Sequence, residues 1–117
     1  MAAGTRVLFD LHRCTGPLTL KVGVREAVEA AVKKSGVTVV DSRFTRFPDD
    51  TINFTADLAE SHCGLGVHLV DRFVSGEVNM CNETRNNRDL ANFLVECFRE
   101  VFKPEESDIT EFLYESR

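Results

Sequence analysis

Twice along this chain apolar residues recur every third or fourth position, and everywhere else they tend to recur every second. Val24, Ala27, Val28, Ala31 and Val32 form the first helical stripe. It starts near Val22 and carries Lys33 and Lys34 in its last turn, with Gly36 placed to end it. Leu90, Phe93, Leu94, Cys97, Phe98 and Val101 form the second, with Asn86 or Asn87 as N-cap and Pro104 beyond its end. Around them, residues 6–12, 37–47, 51–59, 63–70, 77–81 and 109–114 read as strands, because their side chains alternate or are β-branched and aromatic. The connections expected are a loop at Thr15-Gly16-Pro17, a hairpin turn at Pro48-Asp49-Asp50, and a loop of residues 71–75 closed by a turn at Gly76. The order β-α-β-β-β-β-α-β predicts an α+β two-layer sandwich: a mostly antiparallel sheet with both helices on one face. A chain of 117 residues is one domain, long enough to bury a core.

Strand alternation also sorts side chains by face. In residues 51–59, Ile52, Phe54, Ala56 and Leu58 point one way, and Asn53, Thr55, Asp57 and Ala59 point the other, a parity Ser61 continues if the strand does. In residues 63–70, Gly64, Gly66 and His68 oppose Leu65, Val67 and Leu69, and the two glycines leave either room for a ligand or a β-bulge. Glu77, Asn79 and Cys81 oppose Val78 and Met80. The face expected to carry Asn53, Asp57, Ser61 and Cys81 is too mixed for plain solvent surface, which predicts a homodimer enclosing a site.

The 19 acidic and 14 basic residues give a net charge of −5, which argues against nucleic acid or an anionic membrane as partner. No apolar run has the length of a membrane span and the N-terminus lacks a signal-peptide layout, so a cytoplasmic protein is expected. Cys14, Cys63, Cys81 and Cys97 have no metal-ligand spacing, so neither a metal site nor a disulfide framework is expected. The glycosylation patterns at Asn53 and Asn82 have no meaning without secretion.

At the middle of the chain stands Ala59-Glu60-Ser61-His62. It resembles the self-cleavage site of the short bacterial and archaeal S-adenosylmethionine decarboxylase proenzymes, and the likeness extends along the chain. Asp10 and Cys14, the run Ser35-Gly36-Val37-Thr38, the stretch Phe44-Thr45-Arg46-Phe47, and Cys81 placed 20 residues after Ser61 are all similar to that family's pattern.

The resemblance implies cleavage between residues 60 and 61 into a β subunit 1–60 and an α subunit 61–117. Ser61 attacks the Glu60 carbonyl, an ester forms and eliminates, and the new N-terminus becomes a pyruvoyl cofactor. Its ketone condenses with a substrate amine and takes up the electrons released as CO2 departs. Cys81 then returns a proton as general acid, or is simply a small buried residue. The family places a serine eight residues before the nucleophile and a histidine five after it; this chain has Asn53 and Gly66 there. Asn53 can still donate to an oxyanion. His68 or His62 takes the missing imidazole role, with a merely solvated His68 as the competing reading.

Phe47 matches a family aromatic that stacks on adenine, and His62 and Glu77 are further candidates for substrate contact. The family's ribose-binding glutamate has no counterpart in Gly66-Val67-His68-Leu69-Val70, Asp71 coming one position late. The leading substrate of this small-molecule, amino-acid-type decarboxylase of polyamine synthesis is S-adenosylmethionine, with arginine or ornithine as alternatives. The rival reading is a catalytically silent binding or regulatory subunit of the same fold.

Overall fold

The computed structural model describes residues 2–16 and 21–116; Pro17 of the expected loop and the side chain of Val22 lie outside what it describes. Eight elements follow in the expected order: β1 (Ala3–His12), α1 (Lys21–Ser35), β2 (Val39–Arg46), β3 (Thr51–Leu58), β4 (Ser61–His68), β5 (Phe73–Cys81), α2 (Arg88–Phe102) and β6 (Glu106–Glu115). The strands make one sheet in the order β2-β3-β4-β5-β1-β6, and every neighbouring pair runs antiparallel.

Alternation decides the two faces. Val7, Phe9 and Leu11 of β1, Ile52 to Leu58 at every second residue of β3, and Cys63, Leu65 and Val67 of β4 are all buried on one side. Val74, Val78 and Met80 of β5 join them. Over this side α2 crosses β1 and β5, with α1 packed beside α2. The rings of Phe9 and Phe98 stack there at 6.0 Å between centroids. Gly36, at φ +85°, ends α1 in a conformation only glycine adopts cheaply. Of the second stripe, Leu94, Cys97 and Phe98 are buried, whereas Phe93 is exposed.

Three sequence expectations are corrected. Gly76 is no turn: it sits inside β5, opposite Phe9 and Leu65. A Cβ there would lie 2.4 Å from Phe9 Cζ, so the glycine makes room for a core ring. β5 therefore starts four residues earlier than expected, at Phe73 instead of Glu77. β6 is longer than residues 109–114, because it pairs with β1 over ten positions and becomes a sheet edge. The third correction concerns Ser61. Ala59 and Glu60 form a tight two-residue turn, so Ser61 begins β4 instead of continuing β3. Paired with Leu58 and Met80, Ser61 belongs to the helix side, while Asn53, Asp57 and Cys81 lie on the uncovered side.

Candidate active site

The Ala59-Glu60 turn is tied down from two directions. On one side the Ala59 N–H donates to the Thr38 carbonyl at 2.8 Å, and the Thr38 N–H donates to Glu60 Oε1 at 3.0 Å. On the other the Cys81 N–H donates to the Glu60 carbonyl oxygen at 2.8 Å. That carbonyl is the one joined to Ser61, so the peptide bond between them is already polarised by a fixed donor. Ser61 itself has φ +154°, a backbone conformation L residues rarely adopt. Strain of this kind costs about 1–3 kcal/mol and persists only where the surroundings impose it. Here the turn and its three hydrogen bonds impose it.

The Ser61 hydroxyl has a proton acceptor in reach. Its Oγ lies 3.2 Å from His62 Nδ1, and His62 Nε2 lies 3.7 Å from Glu77 Oε1. A hydroxyl, an imidazole and a carboxylate thus follow one another across β4 and β5. The ring can take the hydroxyl proton while Glu77 orients and balances the imidazolium.

Cys81 contributes more than its amide. Its side chain is half-buried and its Sγ lies 3.4 Å from the Glu83 N–H. The other thiols are buried, and burial pushes all three above the ordinary cysteine range, Cys63 up to about 12. A thiol held protonated by burial is a poor nucleophile and a poor proton source for a ligand it cannot touch. Of the four, only Cys81 is open enough to meet a ligand.

The other expected site residues gather elsewhere. Asn53 Oδ1 and His68 Nε2 each come within 3.6 Å of the point that a Cβ on Gly66 would occupy. The His68 ring thus folds back over the glycine toward Asn53. His68 also faces Thr51 Oγ1 at 3.4 Å and the Phe73 ring at 5.5 Å, and Phe73 in turn meets His12 at 5.2 Å. Phe47 is exposed in the neighbouring β2–β3 turn, where its N–H donates to the Thr51 carbonyl. At about 3.3 Å per residue along β4, Gly66 and His68 lie roughly 16 and 23 Å from Ser61. One chain therefore joins Ser61, His62, Glu77 and Cys81, and leaves Asn53, His68 and Phe47 at the far end of the sheet. Between the two lies a shallow cavity of about 350 Å3 lined by Asn53, Thr55, Gly64, Gly66, Ser75 and Glu77.

Two residues hold the turn and Cys81 through contacts that the sequence did not show. Thr38 reaches Glu60 across 22 positions, and Asn87, expected only as a helix cap, donates from Nδ2 to the Cys81 carbonyl at 2.7 Å. No group of three or more His, Cys, Asp or Glu side chains able to hold a metal occurs among the described residues. Nor is any described helix long and apolar enough to cross a membrane.

The sequence model of the S-adenosylmethionine decarboxylase family matches residues 5–113. The chain belongs to that family. Among S-adenosylmethionine decarboxylases, the proenzyme of Thermodesulfovibrio yellowstonii is 29% identical over 99 residues, covering 83% of this chain and 73% of the relative. The adenosylmethionine decarboxylase of Aquifex aeolicus has the same fold, with a TM-score of 0.78 over 95% of this chain and 89% of that one, at 19% identity. The antiparallel six-stranded sheet with two helices is thus the family's α+β sandwich.

Proposed function

We propose that the chain is a self-processing, pyruvoyl-dependent decarboxylase acting on S-adenosylmethionine in polyamine synthesis. The observation that carries this reading is the Cys81 N–H on the Glu60 carbonyl, with the Ser61 hydroxyl next to it in a strained turn. His62 Nδ1 takes the Ser61 Oγ proton as Oγ attacks the Glu60 carbonyl carbon. The charge that develops on the carbonyl oxygen falls on the Cys81 N–H, a donor already in position. Breaking the C–N bond leaves the Ser61 amine free, takes up the proton, and releases the backbone strain. Loss of the Ser61 α-proton then expels Glu60 as a carboxylate, and water replaces the nitrogen as ammonia.

The residues fit the group so formed: it would stand at the start of β4, bonded to His62 and facing the Cys81 segment. A terminal ketone there supplies an electron sink for decarboxylation. Cys81 Sγ holds the proton returned to carbon, and His62 and Glu77 line the approach for a substrate amine. Glu77 favours a cationic substrate.

Asn53, His68 and Phe47 enter through a second copy of the chain. Leu8, Phe112 and Tyr114 are each at least 40% exposed on the face the helices leave uncovered, beside the flat strip of Gly64 and Gly66. Two such faces packed with opposed strand directions bring one copy's Asn53, His68 and Phe47 toward the other's His62, Glu77 and Cys81, which stand on that face next to the Ser61 turn. A homodimer follows from this reading.

The second reading, an uncleaved binding or regulatory subunit, is favoured by Gly66 and Asn53, which replace the residue types the family uses. CO2 release from carboxyl-labelled S-adenosylmethionine, arginine and ornithine tests the assignment. Release from S-adenosylmethionine, abolished by a carbonyl reagent such as hydrazine, is expected. Release from arginine or ornithine alone would move the substrate, and no release from any of the three by a cleaved protein would sink the decarboxylase.

A further inference from the structure

Asn87 is the N-cap of α2, yet its side chain makes no capping hydrogen bond. An asparagine there ordinarily accepts an N–H of the first helical turn through Oδ1, which stabilises the helix. In this chain the residue is buried, at 6% exposure, and Oδ1 has no hydrogen-bond partner among the described residues. Leaving a buried acceptor unmade is unfavourable. What fixes the amide in this orientation is its other end: Nδ2 donates to the Cys81 carbonyl at 2.7 Å. Turning the amide over would set oxygen against oxygen.

The neighbouring contacts lock the same segment. The Asn87 N–H donates to Asn82 Oδ1 at 2.9 Å, and Asn82 Nδ2 donates to the buried Thr5 hydroxyl at 2.9 Å. The Asn82 N–H donates to the Ala3 carbonyl. Cys81 therefore leaves the end of β5 with its carbonyl held from the helix side and its N–H directed at Glu60. We infer that Asn87 is a positioning residue for self-cleavage: its side-chain amide gives up helix capping to hold the Cys81 main chain with its N–H aimed at the Glu60 carbonyl. This rests on the self-cleavage reading above. The role differs from that of Ser61, His62 and Cys81, because Asn87 acts only through the Cys81 backbone.

Asn87→Asp keeps the shape and can cap the helix but has no donor for the Cys81 carbonyl, and Asn87→Ser is a good cap too short to reach it. Both are expected to cut about tenfold more slowly than the native chain, the effect of one lost hydrogen bond. At least Asn87→Ser should melt no lower than the native protein. On the uncleavable Ser61→Ala background, the Cys81 amide should exchange hydrogen faster in both variants while the other β4–β5 amides keep their protection. Native cleavage rates in both variants would overturn the inference. So would slower cleavage accompanied in both by a matching fall in melting temperature and general loss of sheet protection, since that describes a structural residue. If the native chain is never cut, the self-cleavage reading fails on its own, and unchanged protection of the Cys81 amide would then decide against Asn87 separately.

Discussion

The two ends of β4 carry the same kinds of side chain and are built differently. At the Ser61 end, a hydroxyl, an imidazole and a carboxylate follow one another, the backbone is strained, and three main-chain N–H donors fix the turn, one of them onto the Glu60 carboxylate. At the His68 end, an imidazole lies over a glycine among Asn53, Thr51 and Phe73, on regular backbone with room above it. The first arrangement stores strain beside a polarised carbonyl, as bond breaking requires. The second is a relaxed surface that offers aromatic rings and hydrogen bonds, as recognition requires. Two imidazoles six residues apart on one strand thus stand in different surroundings, set by the sheet more than by residue type.

The largest expected effect belongs to the Ser61 end. Ser61→Ala should give one uncut chain under all conditions, because no hydroxyl remains to attack; fragments from that variant, seen by gel, would remove the serine from the chemistry. His62→Ala should slow cleavage by about a hundredfold, the usual loss for a general base. His68→Ala should leave cleavage of a dilute, monomeric chain unchanged, and comparing the two time courses tests the assignment of roles directly. Cys81→Ala retains the backbone donor, so cleavage should proceed while CO2 release falls by about a hundredfold or more. Full turnover by that variant would take the thiol out of the mechanism. A smaller effect reports the strain: Ser61→Gly should be more stable than Ser61→Ala by at least about 1 kcal/mol in urea unfolding, because glycine tolerates the positive φ. Equal stabilities would mean the turn is unstrained.

The smallest effect lies in the core behind the site. Burial holds the Cys63 thiol protonated until about 12, against an ordinary 9.0. Above pH 9 the unfolded thiol loses its proton and the folded one keeps it, so its contribution to stability is intact below 9 and is lost as pH rises toward 12. Cys63→Ala should flatten that part of the unfolding curve, and an identical slope in both proteins would contradict the assignment.

Much of the fold was legible because period and capping are local. The helical stripe from Val24 to Val32, Gly36 after it, and the Pro48-Asp49-Asp50 turn each specify their element without help from distant residues. Gly76 was misread because a glycine in a turn and a glycine under a ring look alike until Phe9 is placed opposite. Ser61 was put on the wrong face for a related reason: a two-residue turn at Ala59-Glu60 carries no glycine or proline to announce it, so the alternation seemed to run on. Glu60, Ser61 and Cys81 could be found from their pattern, and His62 from its place beside the serine. Thr38 and Asn87 could not, since each acts through a backbone contact that only the folded sheet creates.

The central claim is that the bond between Glu60 and Ser61 breaks itself. Intact-mass measurement of freshly purified protein, repeated through a long incubation, tests it most directly. Two fragments ending at Glu60 and beginning at position 61, the second short of its amine and carrying a carbonyl in place of the serine, are what the proposed self-cleavage predicts. A single chain of unaltered mass throughout would contradict it.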